Sequence, residues 1–228
     1  MKIVVFDYGA GNLHSLQKAL ERPGVTVEVA RDPREALLGD ALVLPGVGAF
    51  QAATAALGAH VLAMRAAIRD GLPTLGICLG MQLLFDASDE GGDAGLGVIP
   101  GRVRRLKATR VPQIGWNPLV DADDPLLAAS GLATPYYANS FVAAPSDDRT
   151  VVAWSDHDGD RYPAMVRAGA CVGTQFHPEK SSTAGVAFVH AWVREVRDRT
   201  ETRDARATAA VVGAIAAHRN TETTTEGR

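Results

Sequence analysis

The segment at 72–85, LPTLGICLGMQLLF, constrains the fold of this 228-residue chain more than any other stretch. An apolar run leads into the pattern GICLG at 76–80, and the amphipathic start of a helix follows. This order of strand, tight turn and helix is typical of a nucleophile elbow, in which a reactive side chain lies on a sharp bend. Gly76 and Gly80 are expected where any Cβ would crowd the backbone crossing beneath the sulfur. We expect the free N–H groups and the dipole of the helix to favour the Cys78 thiolate.

Two interpretations of Cys78 stay open at this point. A lone buried cysteine commonly serves as a small apolar residue in a core. A nucleophile instead needs a base and an oxyanion site elsewhere in the chain. The decision therefore depends on finding both.

The first 85 residues alternate between short apolar runs and stretches with helical spacing. This alternation predicts an α/β fold of three layers, in which helices cover both faces of a mostly parallel central sheet. Ligands of such sheets bind at the carboxyl ends of the strands, where the loops at 9–12 and 45–48 and Cys78 are expected. The predicted strands span 2–7, 25–30, 41–44 and 74–77, and the predicted helices span 13–22, 51–70 and 79–85, with a short helix opening at Asp32-Pro33.

The pattern changes after the polar loop at 88–95 to short strands separated by turn residues. We expect these strands to form an added antiparallel region, with a hairpin at 156–160. A final helix is expected at 183–197, in which His190 is interpreted as a packing residue. The predicted strands span 97–106, 111–116, 136–143, 151–154, 164–166 and 171–176.

The composition changes again beyond Arg199, where Thr, Glu, Arg and Ala dominate. We therefore divide the chain into one domain at 1–199 and an extension at 200–228. A further helix is expected at 203–218 and a disordered end at 220–228.

Composition and charge narrow the classes of partner. The chain has 23 Lys and Arg against 26 Asp and Glu, and its formal charge of −3 gives no electrostatic reason to propose a nucleic acid or an anionic membrane. Its two cysteines are too few for a disulfide-stapled scaffold. The N-terminal MKIVVFDYGAG is predicted to be a first strand and not a signal peptide, and no apolar run is long enough to span a bilayer. We expect a soluble protein of the cytoplasm.

The heptapeptide QFHPEKS at 175–181 supplies the base that Cys78 requires. Pro178 favours an extended conformation of His177, and residues i and i+2 of an extended segment point the same way. Glu179 is therefore expected beside the His177 ring, where its carboxylate accepts the ring N–H and stabilises the imidazolium.

An oxyanion forms when a thiolate attacks a carboxamide, and it requires preorganised N–H donors. The N–H of Leu79 at the elbow is one candidate, and the backbone of the glycine loop at 46–48 is the second. An ordinary turn is the alternative for this loop. Gln82, one helical turn after Cys78, is a candidate substrate contact, although such a residue can also face solvent.

Five motifs, in this order and spacing, resemble those of class I (triad) glutamine amidotransferases, and most closely the glutaminase subunits of imidazole glycerol phosphate synthases. The motifs are GAGN (9–12), PGVGAF (45–50), GICLGMQLLF (76–85), VPQIGWN (111–117) and QFHPEKS (175–181). The resemblance covers the chain up to about Arg199 and implies a flavodoxin-like α/β fold.

The resemblance implies a role for each matched position. Cys78 is the implied nucleophile, His177 the base and then the acid, and Glu179 the carboxylate that orients His177. Cys78 would attack the side-chain amide of glutamine, ammonia would leave, and water would hydrolyse the γ-glutamyl thioester, without a cofactor or a metal. The other implied residues are Val47, Gly48 and Leu79 at the oxyanion site, Gln82 and Glu90 at the glutamine backbone, with Glu90 on its ammonium, and Asn139, Ser140 and Phe141 at its carboxylate.

The implied partner is a barrel-shaped cyclase subunit that forms a heterodimer with the chain and conducts ammonia through its interior. The implied acceptor is N′-(5′-phosphoribulosyl)formimino aminoimidazole carboxamide ribonucleotide (PRFAR). Its products are imidazole glycerol phosphate and aminoimidazole carboxamide ribonucleotide (AICAR), in histidine synthesis. Asn12, Trp116 and Lys180 match partner-facing positions, although core packing is the alternative for Trp116.

Two positions depart from the common pattern of the family, since Gln113 and Asn139 stand where it usually has His. Neither belongs to the triad, and both retain hydrogen-bonding capacity. They leave open a paralogue that supplies ammonia to another cyclase-like synthase, such as one acting on a sugar. A catalytically inactive binding module and a cysteine hydrolase of peptides are the remaining alternatives, although every triad position is filled.

Overall fold

A computed structural model of the chain describes the backbone of residues 1–9, 13–46, 48–92 and 94–222, and the side chains of that part except 206–208 and 210–222. The strands of this part are β1 (Lys2–Phe6), β2 (Thr26–Ala30), β3 (Ala41–Leu44), β4 (Thr74–Ile77), β5 (Ala87–Ser88), β6 (Gly101–Arg105), β7 (Gln113–Trp116), β8 (Tyr136–Asn139), β9 (Phe141–Pro145), β10 (Val151–His157), β11 (Asp160–Ala168) and β12 (Cys171–Thr174). The α-helices are α1 (His14–Leu20), α2 (Pro33–Ala36), α3 (Phe50–Leu57), α4 (Val61–Arg69), α5 (Leu79–Gln82), α6 (Pro125–Ser130) and α7 (Ser182–Glu222).

A seven-stranded sheet forms the centre of the fold, in the order β10-β11-β12-β4-β3-β1-β2. The strands from β12 to β2 pair in parallel, whereas β11 pairs antiparallel with both β10 and β12. Every residue of β3, β4 and β12 is buried, as expected of strands that are covered on both faces. The predicted α/β fold with a mostly parallel sheet is therefore confirmed.

The position of β4 between β3 and β12 decides which loops meet. Leu44 of β3 pairs with Gly76, and Thr174 of β12 pairs with Ile77, so the three strands end at the same edge of the sheet. The glycine loop after β3 and the QFHPEKS segment after β12 consequently flank Cys78, although they are far apart in the sequence.

Of the strands expected in the antiparallel region, those at 151–154, 164–166 and 171–176 belong instead to the central sheet as β10, β11 and β12, and β12 pairs there in parallel with β4. The others form two smaller sheets. The sequence predicts one strand at 136–143, but the structure has two, which separate at Ser140. β8 pairs antiparallel with β7, whereas β9 pairs antiparallel with β6, which also pairs with β5. Residues 139–141 therefore lie where the chain passes from one sheet to another. The predicted hairpin at 156–160 is confirmed, since His157 pairs with Asp160.

Two helices in the first half are shorter than predicted. The helix expected at 51–70 is divided into α3 and α4, because Gly58 at the end of α3 has a φ of +49°. The helix after the elbow ends at Gln82 and not at residue 85.

Helix α6 was missed, although its sequence contains recognisable end signals. The side chain of Asp124 accepts a hydrogen bond from the N–H of Leu126 (2.8 Å), Pro125 lies in the first turn, and Gly131 ends the helix in the left-handed conformation. A short helix with one apolar turn has too weak a periodicity to be found without these caps.

Backbone contacts divide the chain into two units, Met1–Val193 and Arg194–Arg228. The first unit contains all of the described strands. In the second unit, Arg199 and Glu195 form an ion pair of 3.0 Å one turn apart. The helices expected at 183–197 and 203–218 belong to the one helix α7. The predicted domain end at residue 199 stays a prediction, and residues 223–228 of the predicted disordered end lie outside the described part.

None of the helices in the described residues combines the length and the apolar character needed to cross a membrane.

The crossing of β4 and α5 leaves no room for a side chain at two glycines. A Cβ on Gly76 would lie 2.6 Å from the carbonyl oxygen of Gly80. A Cβ on Gly80 would overlap the carbonyl group of Leu44 in β3. The predicted need for glycine on both sides of Cys78 is therefore confirmed.

We expect Gly80→Ala to lower the free energy of unfolding by about 3 kcal/mol, because the added methyl group must push α5 away from β3. Gly159→Ala is the control, since Gly159 has a φ of +83° and open space around it. Alanine there should cost only about 1 kcal/mol of backbone strain. Urea denaturation followed by circular dichroism measures both losses, and equal losses would show that the crossing tolerates a Cβ.

Candidate active site

Cys78 lies on a strained bend between β4 and α5. Its φ of 48° and ψ of −103° are unusual for a residue with a side chain, and its N–H donates to the carbonyl oxygen of Thr174 (2.6 Å). Leu79 is the first residue of α5, so its N–H has no acceptor within the helix. Because α5 has only four residues, its dipole contributes less than that of the longer helix expected from the sequence.

His177 approaches the same point from the end of β12. It is extended (φ −98°, ψ 96°), as Pro178 predicts, and its Nδ1 lies 2.8 Å from Oε1 of Glu179. Glu179, however, belongs to a 3₁₀ turn at Pro178–Lys180 and not to an extended segment. This turn, rather than strand alternation, brings the carboxylate to the ring. The side chains of His177 and Glu179 are 2% and 9% exposed, so the contact is shielded from water.

The charges around His177 determine its protonation. Burial alone would lower its pKa, because the imidazolium loses hydration. The charge of Cys78, a hydrogen bond with Cys78, and the hydrogen bond and charge of Glu179 act in the opposite direction and raise the pKa of His177 to about 10. His177 is therefore an imidazolium at neutral pH. Since this pKa exceeds the ordinary value of 6.5, protonation of His177 stabilises the folded protein. This contribution to the free energy of unfolding is fully present below pH 6.5 and is lost as the pH rises through about 10.

A cavity of about 310 Å³ opens beside Cys78, within the size range of small-molecule sites. Of the predicted site residues that the structure describes, all except Glu179 and Trp116 line this cavity. Glu179 instead contacts the buried ring of His177. Val47 and Asn12 lie outside the described residues. The predicted residues in the lining are Gly48, Cys78, Leu79, Gln82, Glu90, Asn139, Ser140, Phe141, His177 and Lys180.

Gln175 is a residue of the site that the sequence reasoning missed. It is fully buried, and its Nε2 lies 3.5 Å from the sulfur of Cys78. Its Oε1 accepts a hydrogen bond from Nε2 of Gln82 (3.3 Å), which also donates to the carbonyl oxygen of Phe141 (3.0 Å). A signal for Gln175 was present, because it stands two residues before His177 at the end of a strand, and alternate residues there share a face.

Two acceptor groups in the cavity lining can bind a polar ligand. The carboxylate of Glu90 is near the start of α3, where its Oε2 lies 3.4 Å from the N–H of Phe50. Within the described structure, Oδ1 of Asn139 is buried without a hydrogen-bond partner. A carboxylate pairs with a cation and an amide oxygen accepts a proton donor, so the cavity suits a ligand with an ammonium group and N–H donors.

Residues 4–194 match the model of the family described as glutamine amidotransferase class-I. The chain belongs to this family. It is 46% identical over 211 residues to the imidazole glycerol phosphate synthase subunit HisH of Symbiobacterium thermophilum, a match that covers 89% of this chain and 98% of the relative. It is 42% identical over 207 residues to the subunit of the same name from Corynebacterium diphtheriae, covering 84% of this chain and 98% of the relative.

Solved structures share the fold of this class I amidotransferase. A putative GMP synthase subunit from Thermoplasma acidophilum superposes with a TM-score of 0.66 at 22% identity, over 90% of this chain and 98% of that chain. A glutamine amidotransferase from Thermotoga maritima superposes with a TM-score of 0.58 at 17% identity, over 90% and 85% of the two chains. At such identities the likeness shows the α/β architecture alone.

The two departures from the family pattern lie opposite each other in the amidotransferase. Gln113 of β7 pairs with Asn139 of β8. Oε1 of Gln113 accepts a hydrogen bond from the hydroxyl of Tyr162 (2.6 Å), and Nδ2 of Asn139 donates to the carbonyl oxygen of Phe141 (3.2 Å). The side-chain amides of Gln113 and Asn139 therefore each form a hydrogen bond, as expected from the sequence.

Trp116 of the amidotransferase is 55% exposed, so the alternative of core packing is wrong. Its ring meets that of Tyr136 edge to face, with centroids 5.9 Å apart. Lys180 is exposed as well and lines the cavity. His190, interpreted as a packing residue, is only partly buried and has its Nδ1 3.0 Å from the guanidinium of Arg22.

We expect the ring signals of His177 in NMR spectra of the amidotransferase to stay constant between about pH 6 and pH 8 and to shift only above about pH 9, because its pKa is raised to about 10. In Cys78→Ala the midpoint of the His177 titration should fall by at least about 1 unit, since the interactions with Cys78 that raise the pKa of His177 are lost while burial persists. Cys171→Ala is the control, because burial raises the pKa of that thiol to about 12 and keeps it uncharged. A His177 titration midpoint near 6.5 in the wild type would contradict the pairing of the imidazolium with Cys78 and Glu179.

Proposed function

We propose that this chain is the glutaminase subunit of an imidazole glycerol phosphate synthase. The observation that supports the proposal most is the identity of 42–46%, over nearly the whole length of the relatives, to proteins named as HisH subunits of that synthase. The meeting of Cys78 and His177 at one cavity, with Glu179 on the buried side of the His177 ring, supports the glutaminase chemistry. The proposed substrate is L-glutamine and the proposed location is the cytoplasm.

The proposed first half-reaction forms a thioester on Cys78. The thiolate attacks the δ-carbon of the glutamine side chain, and the imidazolium of His177 gives a proton to the amide nitrogen as the C–N bond breaks. Ammonia leaves, and the γ-glutamyl group stays on the sulfur. The carboxylate of Glu179 accepts the Nδ1–H of His177 and keeps the other ring nitrogen directed at the reaction.

The proposed second half-reaction releases glutamate. His177, now neutral, takes a proton from a water molecule whose oxygen attacks the thioester carbon. The C–S bond breaks, glutamate leaves, and the thiolate and the imidazolium are restored. No step requires a cofactor or a metal.

The proposed oxyanion site combines backbone N–H groups from two loops. Leu79 contributes the N–H that has no acceptor within α5, and the loop containing Val47 and Gly48 contributes the second donor. Such donors act on the charge that develops on the amide oxygen in the transition state. The neighbouring positions of β3 and β4 in the sheet support an oxyanion site shared by the segments that follow these two strands.

The proposed glutamine contacts divide by charge. Glu90 pairs with the ammonium group, and the segment Asn139, Ser140 and Phe141 contacts the carboxylate group through donors such as the Ser140 hydroxyl, because Oδ1 of Asn139 can only accept. Gln82 contacts the glutamine backbone from a side chain whose amide already donates to the carbonyl oxygen of Phe141. Gln82 therefore also fixes the cavity wall next to this segment.

The proposed partner is a cyclase subunit that receives the ammonia and converts PRFAR to imidazole glycerol phosphate and AICAR. Ammonia released into water becomes ammonium, which is not a nucleophile, so transfer must be enclosed. We assign Asn12, Trp116 and Lys180 to the face that contacts the cyclase in a heterodimer. An exposed Trp is a typical anchor of a protein interface.

In the complex with the cyclase, Cys78→Ala should reduce glutamine-dependent formation of imidazole glycerol phosphate by at least about 1,000-fold, because no thioester can form. Formation from added ammonium salts should be unchanged, since only the source of ammonia is removed. Cys171→Ala provides the matched control and should use both sources. Chromatographic assay of the product distinguishes these cases, and retention of glutamine use by Cys78→Ala would refute the assignment of the nucleophile.

Glutamine hydrolysis by the isolated chain should be about 100-fold slower than hydrolysis in the complex with cyclase and PRFAR, because the oxyanion donors then reach their working geometry. Glutamate release measured in the presence and in the absence of cyclase and PRFAR tests this difference in rate. Full activity of the isolated chain would contradict dependence on a partner. Hydrolysis that the cyclase does not stimulate, but that another synthase does, would instead identify the paralogue suggested by Gln113 and Asn139.

A further inference from the structure

We infer that Gln175 is a further catalytic residue of this site, whose side-chain amide donates a hydrogen bond to the sulfur of Cys78 whenever that sulfur is a thiolate. The inference deepens the proposed function and rests on it for the reaction steps. The state of the thiol itself can be measured without glutamine. The two proposals can therefore fail separately.

The contact is direct and excluded from water. Nε2 of Gln175 lies 3.5 Å from the sulfur, within hydrogen-bonding range for that atom, and Gln175 is 0% exposed. Its backbone is fixed, because its N–H donates to the carbonyl oxygen of Ala164 (2.8 Å) in the neighbouring strand. A hydrogen bond to a charged group in such surroundings is stronger than one between neutral groups.

The orientation of the amide follows from its neighbours. The carbonyl oxygen of Phe141 can only accept, so the side chain of Gln82 must present its nitrogen to that oxygen (3.0 Å). The same nitrogen lies 3.3 Å from the side chain of Gln175, which must therefore present its oxygen. The nitrogen of Gln175 is consequently the atom that faces Cys78. A chain of hydrogen bonds thus connects the carbonyl oxygen of Phe141 to the sulfur through the side-chain amides of Gln82 and Gln175.

The donor favours the states of the reaction in which the sulfur is charged. The sulfur is a thiolate before attack and again when the thioester breaks, whereas in the thioester it is a neutral, weak acceptor. The amide of Gln175 therefore stabilises the leaving thiolate in the hydrolysis of the thioester. Gln175 does not line the cavity, so its contribution belongs to kcat and not to the KM for glutamine.

The test measures alkylation of Cys78 by iodoacetamide in the full chain, with mass spectrometry to confirm the site. In Gln175→Met, which keeps the size but has no donor, the ratio of the rate at pH 6.5 to the rate at pH 9.5 should fall about 10-fold. The other titratable groups around the sulfur and in the cavity are His177, Tyr8, Glu90 and Lys180. They are unchanged in this variant, so the fall reports the lost donor.

A matched control removes a buried amide without touching the sulfur. Gln113 is 3% exposed and has its hydrogen bond with Tyr162, so Gln113→Met should leave the alkylation ratio within about twofold of wild type. Gln82→Met removes the partner that orients Gln175 and should lower the ratio about threefold. Its effect should not add to that of Gln175→Met, because both act on the same donor.

The outcomes separate a donor from a packing residue. A ratio in Gln175→Met equal to that of wild type would overturn the inference, as would an equal fall in the Gln113→Met control. If Gln175→Met does not fold, Gln175→Leu also replaces the donor by an apolar side chain of similar size, so its ratio should fall about 10-fold as well. A wild-type ratio in that variant would also overturn it.

In the complex with the cyclase, the kcat of Gln175→Met for glutamine hydrolysis should fall about 10-fold with little change in KM. A changed alkylation ratio in a protein that does not hydrolyse glutamine would refute the proposed function and leave the role of Gln175 intact.

Discussion

Parallel pairing of β4 with β3 on one side and β12 on the other is the constraint on which the site depends. Because the three strands are in register and end together, the segments that follow them meet at one edge of the sheet. The pairing leaves room for α5 only because Gly80 packs directly against the backbone of β3. A shift of one residue in β4 would turn every side chain to the opposite face, and Cys78 would no longer face His177.

The chemistry of the site results from burying charges that compensate one another. An isolated imidazolium at the position of His177 would be disfavoured by burial, yet the pKa of His177 is raised to about 10 by Cys78 and Glu179. Removal of one partner from such a cluster leaves the others buried without compensation, which costs more than the pair contributes. The amide of Gln175 also compensates charge in this cluster, because its nitrogen faces the sulfur from a position that water does not reach.

Ion pairs hold the short strands of the antiparallel region in place. Arg104 of β6 forms two hydrogen bonds of 2.7 Å with Asp160 of β11, which connects the small sheet to the central one. Arg167 of β11 pairs with Asp124 (2.6 Å), whose carboxylate also caps α6. These two pairs fix β6 and the start of α6 against β11.

The sequence by itself determined the local elements. Continuous apolar runs defined β3 and β4 to the residue, the GICLG pattern defined the bend at Cys78, and Pro178 defined the extended backbone of His177, because each depends on neighbouring residues only. Tertiary structure alone decided the break at Ser140, where the chain changes its pairing partner. It also decided that Gln175 meets the sulfur. These features depend on contacts between distant segments, and the strand order that creates those contacts is not encoded in any local pattern.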